Sequence, residues 1–319
     1  MDPLQEALSL LDGGYAAEAL TAIERAPAGV PATILQARAE LALDRFDHAH
    51  ATLRSIFRRD DASGKHRAHA LVLQAVLLRR SSPLLDEALD SALRGATGAM
   101  RAGEPALAAE AHVEAARLLA AKRSRELAEA QLARAVERAG ASPDGALAAL
   151  LACADAEIRL SFDDRPGALE RYRAAATPGS PGERAARIGW ANVAMLVGQF
   201  DEAHAQLAAL RPIRSGEAAA RRLQVRLLLA AHRWAEVAQV VDEGLRSNPA
   251  SDFRFRDRYE RACALYRAGY FANAKPAFEE LAAMTETSRW IELAKRTTRL
   301  VERHDLAQRR LVRLQAFPT

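Results

Sequence analysis

Aromatic side chains are scarce in this sequence: Phe, Trp and Tyr make up only 5% of its 319 residues. A single large globular core leans on such bulk, whereas many thin layers of small side chains do not. Cysteine is nearly absent too. Cys153 and Cys263 stand 110 residues apart in apolar surroundings, a pattern of buried free thiols in a reducing compartment. No apolar stretch approaches the roughly 20 residues that span a bilayer, and Met1-Asp2-Pro3-Leu4-Gln5-Glu6 lacks the basic, then apolar, start of a secretory signal. A cytoplasmic protein with no membrane association is the expectation. There is no Gly-rich phosphate loop and no Gly-x-Ser-x-Gly elbow. Of the eight histidines only His66 and His69 share a helical spacing, with no Cys or carboxylate placed to complete a metal site. No metal, no cofactor and no catalytic residue is expected, so an enzyme is disfavoured.

What the sequence does have is half its residues hydrophobic, with Ala, Leu, Arg and Glu prominent. These are strong helix formers, and the Ala- and Arg-heavy usage has a high-GC bacterial look. The net charge of +4 is split unevenly: residues 205–319 carry a local +8 and residues 1–204 a local −4. That asymmetry points to an anionic partner for the C-terminal half.

One short pattern recurs along the chain: a turn residue, one residue, a bulky residue, two polar residues, then Ala. Its clearest copies are Gly198-Gln199-Phe200-Asp201-Glu202-Ala203 and Gly269-Tyr270-Phe271-Ala272-Asn273-Ala274. Asp44-Arg45-Phe46-Asp47-His48-Ala49 and His232-Arg233-Trp234-Ala235-Glu236-Val237 follow it, and weaker copies end at Ala19, Ala88, Ala128 and Ala168. Successive anchors lie 30, 39, 40, 40, 35, 34 and 37 residues apart, a period that marks a helical repeat array. Each element has a physical task. The turn residue ends one helix in a left-handed conformation that Gly adopts best. The bulky residue fills the gap between layers, and the small one sits where paired helices cross, so that a larger side chain would push them apart. The spacings of 39 and 40 predict longer helices or turns around residues 60–145.

This series resembles the tetratricopeptide repeat family, whose second helix opens with a Gly-x-Tyr-x-x-Ala motif. The resemblance covers residues 1–303 and is sharpest at 198–203, 232–249 and 269–278. It implies an all-α fold, a right-handed superhelical solenoid of about eight antiparallel helix pairs, closed by a capping helix over Ser288–His304 with Trp290, Leu293, Leu300 and Val301 on its apolar side. Residues 304–319 fit no repeat. They read as a strand-like tail, either a loose end or the start of a following domain.

The resemblance also implies that first helices line a concave groove. By registration, Asn192, Arg222, Arg226, Arg256, Tyr259 and Tyr266 form a polar ridge there, similar to the clamps with which some family members grip a peptide carboxylate. Arg offers a planar fork to a carboxylate and Asn can hold a backbone amide. The expected function is a non-catalytic scaffold for a protein or peptide ligand, with an acidic one favoured by the ridge. One alternative makes the chain the regulatory or substrate-recruiting arm of a larger bacterial enzyme or transcription regulator. Another has the basic C-terminal half bind nucleic acid, although the regular base-reading side chains of RNA-binding repeats are missing. Apolar Leu4, Leu8, Leu11 and Ile34 in the first repeats offer a face for self-association.

Overall fold

The computed structural model describes residues 2–141, 143–286, 288–299 and 301. Every regular element among them is a helix. In chain order they are α1 (Pro3–Asp12), α2 (Ala16–Glu24), α3 (Val30–Ala42), α4 (Phe46–Phe57), α5 (Gly64–Ser81), α6 (Leu85–Arg101), α7 (Pro105–Ala121) and α8 (Arg125–Ala139). There follow α9 (Gly145–Ser161), α10 (Arg165–Ala175), α11 (Glu183–Leu196), α12 (Phe200–Ala208), α13 (Ala218–Ala230), α14 (Trp234–Ser247), α15 (Arg254–Arg267) and α16 (Phe271–Ala282). A last helical run occupies residues 289–299. The wide anchor spacings translate into long helices: α5 to α9 have 15 to 18 residues, where α10 to α12 have 9 to 14.

The recurrent motif builds one kind of turn. In every copy but the one between α5 and α6 the amide of the residue just before the second helix reaches five residues back, as in Tyr15 N to Leu10 O (2.8 Å), Gln199 N to Ala194 O (2.8 Å) and Tyr270 N to Leu265 O (2.9 Å). This is a Schellman ending. The residue before it is left-handed: Gly14 (φ 78°), Gly198 (φ 80°) and Gly269 (φ 83°), but also Asp44 (φ 55°), Arg123 (φ 61°), Asp163 (φ 66°) and His232 (φ 56°). The α5–α6 connection departs from the rule. Pro83 stands in it, and the cap at Ser82 is extended.

The anchor residues are where the pairs close. Ala19, Ala49, Ala88, Ala128, Ala168, Ala203, Val237 and Ala274 are all fully buried. So are Ala37, Ala116, Ala156, Ala191 and Ala262 on the first helices. With side chains this small the backbones approach closely. The next packing position, four residues on, is buried at Leu53, Tyr172, Leu207, Val241 and Phe278.

The chain divides into two compact units, residues 1–220 and 221–319, with the boundary inside α13. In the first unit α1, α3, α5, α7, α9 and α11 each pack on the next, while the second helices have no comparable contacts among themselves. The first helices therefore form the tighter row. Among its described residues the second unit shows two clusters of buried side chains. One joins Val225, Leu228, Val237, Val241 and Leu265. The other joins Ala262, Phe278 and Leu281 to Ile291 and Ala294 of the last helical run and to Val301. That run covers the end of α15 and α16 as a cap should, with Val301 buried and Trp290 packed on Tyr259 as the sequence indicated, but not Leu293. Ile291 and Ala294 are buried while Leu293 is exposed. Leu300 and the tail 304–319 lie outside the described residues. No described helix is long and apolar enough to cross a membrane.

Candidate functional site

The six residues assigned to the ridge fall in both units. Asn192 lies on α11 of the first, half-buried. Arg222 and Arg226 on α13 and Arg256, Tyr259 and Tyr266 on α15 belong to the second. There the side chains of Arg222 and Arg256 converge on one ring: their guanidinium carbons lie 5.2 and 4.6 Å from the centroid of Phe253. Phe253 is the residue just before α15, and its apolar face keeps both cations partly desolvated and oriented.

Acidic residues of α15 temper this basic cluster. Arg256 Nη2 contacts Asp257 Oδ1 at 3.3 Å and its Nε lies 3.5 Å from Glu260 Oε1, yet that buried Nε has no aligned hydrogen-bond acceptor. Burial pushes the Glu260 carboxyl above its usual range and Asp257 adds to the rise, while Arg256 and Arg226 oppose it. Glu260 thus sits in the field of arginines from both helices. Arg226 is exposed.

The two tyrosines are packing residues. Tyr259 lies 5.8 Å from Phe278 and 5.6 Å from Trp290, ring centre to ring centre. Its hydroxyl is 3.1 Å from Thr297 Oγ1. Thr297 spends its own proton on Leu293 O (2.8 Å), so Tyr259 is the donor. Tyr266 packs edge-on against Phe271 at 5.1 Å. Phe253, the ring that organises the arginines, was not singled out by the sequence. The alternation Phe253-Arg254-Phe255-Arg256 was the available signal, and Arg254 repeats the theme over Phe255 at 4.2 Å.

Charges in the first unit are tied between layers. Glu114, 2% exposed, is paired with Arg79 of α5 and lies 3.6 Å from Arg117, which in turn reaches Glu157 of α9 at 2.5 Å. Burial alone would lower the Arg117 pKa, but Glu157 and Glu114 outweigh it and the net direction is up. Of the apolar residues of the first repeats, Ile34 is buried and Leu8 is exposed.

No cluster of three metal-ligating side chains occurs among the described residues. Burial pushes the Cys153 thiol up to about 11 and raises that of Cys263 as well, away from the thiolate that reacts. A groove of about 510 Å³ between α8, α9 and α10 is lined mainly by aliphatic side chains such as Leu132, Val136 and Leu151.

No family model matches the chain, and no curated protein matches it. Its likeness is to solved structures. A Rap protein complexed with Competence and Sporulation Factor aligns over 96% of this chain and 98% of its own, at 11% identity and a TM-score of 0.52. The fold is of tetratricopeptide type. The tetratricopeptide domain of P58(IPK) aligns over 95% of this chain and 98% of its own, at 14% identity and a TM-score of 0.29, a superposition too loose to add weight. At these identities the likeness concerns the tetratricopeptide fold alone. It agrees with the repeated Schellman turn and the row of buried Ala anchors.

Proposed function

We propose that the chain is a non-catalytic scaffold that holds a protein or peptide segment, and that the second unit grips acidic side chains through Arg222, Arg226 and Arg256. The observation that carries this reading is the pair of guanidinium groups aligned on Phe253. A guanidinium fixed against a ring loses little freedom when it binds a carboxylate, and the planar fork is matched to that ligand. The local excess of positive charge in residues 205–319 supports the same reading. A Rap protein of like fold was seen complexed with a factor, which fits a fold suited to holding partners.

The test is selection from a displayed library of random peptides at low and at moderate salt. The wild-type protein is expected to enrich Asp- and Glu-rich segments, with enrichment weakening as salt rises. The Arg222→Glu/Arg226→Glu variant is expected to lose them while melting at the wild-type temperature. Equal enrichment by both proteins removes the site assignment.

A further inference from the structure

The turn between α1 and α2 is held by a segment far away in sequence. Ser215 Oγ accepts from Ala17 N at 3.1 Å, across 198 residues, and donates to Glu18 Oε2 at 2.9 Å. Gly216 N donates to Gly14 O at 2.9 Å. Arg214 donates from Nη1 to Gly13 O, and its guanidinium carbon lies 4.7 Å from the Tyr15 ring centre. All of these residues belong to the first unit.

The chemistry of the contact is that of a helix cap. The N-cap of α2, Tyr15, supplies no side-chain hydrogen bond, which leaves the first amides of α2 unserved. Ala17 and Glu18 are the second and third residues of that helix. A Ser oxygen accepting from the second amide does what an N-cap side chain does, and its hydroxyl adds a bond to the Glu at the third position. Here the Ser comes from the other end of the unit.

The capping segment is itself braced. Arg184 on α11 binds both carboxylate oxygens of Glu217, with Nη2 to Oε2 at 2.6 Å, and the same Nη2 donates to Leu210 O (2.6 Å) and Pro212 O (3.1 Å). Glu217 Oε2 in turn accepts from Arg214 N at 2.9 Å. By contrast, neither α1 nor α2 packs substantially on any helix from α9 to α12.

We infer that residues 214–217 form a clasp that caps α2 in trans and thereby fastens the two ends of the first unit together. The fastening is polar and local, so it opens without dismantling any layer, and it sets the curvature of the row of first helices. Room for it is tight. A Cβ at Gly216 would lie 3.0 Å from Gly14 O and 3.3 Å from Ala16 Cβ, so a branched side chain there wedges the clasp apart.

Amide hydrogen exchange on the full chain, with small-angle scattering, tests this. In Ser215→Ala and Gly216→Val, peptides covering 14–20 and 211–217 are expected to exchange at least tenfold faster than in the wild type, with peptides from α5 to α8 unchanged and the radius of gyration larger. Ser215→Thr, which keeps the hydroxyl, is expected to behave as wild type. Equal exchange of the two segments in wild type and both variants overturns the clasp, and an unchanged radius of gyration overturns its hold on curvature. Loss of protection in α5 to α8 as well would show that the segment is an inseparable part of the fold, which also overturns it.

Discussion

Gly189 of α11 faces the ring of Tyr172 of α10 so closely that a Cβ on the glycine would lie 2.2 Å from Cε1 and 2.3 Å from Cζ. Tyr172 is 4% exposed and sits among Cys153, Ala156, Ala168, Ala186 and Val193. The ring is one of the few bulky groups in this core, and its space comes from a missing side chain on the next helix.

Gly189→Ala is therefore expected to destabilise the protein by roughly 1–3 kcal/mol through overpacking, even though Ala favours a helix interior over Gly by about 1 kcal/mol. Denaturant melts of Gly189→Ala, Tyr172→Leu and the double variant check it. The double variant should cost less than the sum, because the smaller side chain leaves room for the new methyl. Strict additivity would mean that the two residues do not meet in solution.

Glu114 leads to a second prediction. It is buried between Arg79 and Arg117, and removing one member of a buried pair leaves uncompensated charge. Glu114→Ala is expected to lower stability by about 3–5 kcal/mol, whereas the exposed Arg125–Glu129 pair at 2.9 Å is expected to contribute no more than about 1 kcal/mol. Melting curves of Glu114→Ala and Glu129→Ala side by side make the comparison.

These two cases mark how far the sequence could be read. The anchors were legible because the crossing of two helices demands a small residue every repeat, and Ala19 through Ala274 satisfy that demand without exception save Val237. The Schellman turns were legible where Gly198 and Gly269 stood. The long middle helices were legible as spacing. Gly189 was not, since its reason is a tyrosine 17 residues earlier and no local rule connects them. In the second unit, registration singled out Arg222 and Arg256 but not Phe253, the ring both stack on, which precedes its helix and obeys no repeat position. The partners of Ser215 lie nearly 200 residues away, where no periodicity points.

His69 gives a pH dependence. Burial lowers its pKa to about 4, with Arg38, Lys65 and His66 adding to the fall and Glu104 opposing it. The folded protein thus holds a neutral ring while the unfolded chain takes up a proton near pH 6.5. The stability linked to this residue is full above pH 6.5 and is lost as the pH falls toward about 4. His69→Gln is expected to flatten stability against pH over that window. An NMR titration that places the His69 midpoint near 6.5 would contradict the assignment.

The last prediction concerns the left-handed turn. Gly198 has φ 80° and nothing within 4 Å of where a Cβ would stand, so Gly198→Ala tests the backbone alone. An L side chain costs about 1–2 kcal/mol in that conformation, and the variant should lose about that much stability. His232 occupies the equivalent place in the α13–α14 turn at φ 56° and already bears that cost. Its ring contacts Trp234 at 5.4 Å, which offsets only part of it. His232→Gly is expected to stabilise the protein by a few tenths to about 1 kcal/mol, after the greater freedom of Gly in the unfolded chain is subtracted. Asp44 should answer differently. It holds the same left-handed geometry, but its carboxylate is buried against Arg80 of the next layer, so Asp44→Gly removes a charge pair along with the strain. Opposite signs for His232→Gly and Asp44→Gly in parallel denaturant melts would show that non-glycine turns persist where the side chain ties adjacent layers. Equal signs would leave backbone strain as the whole account.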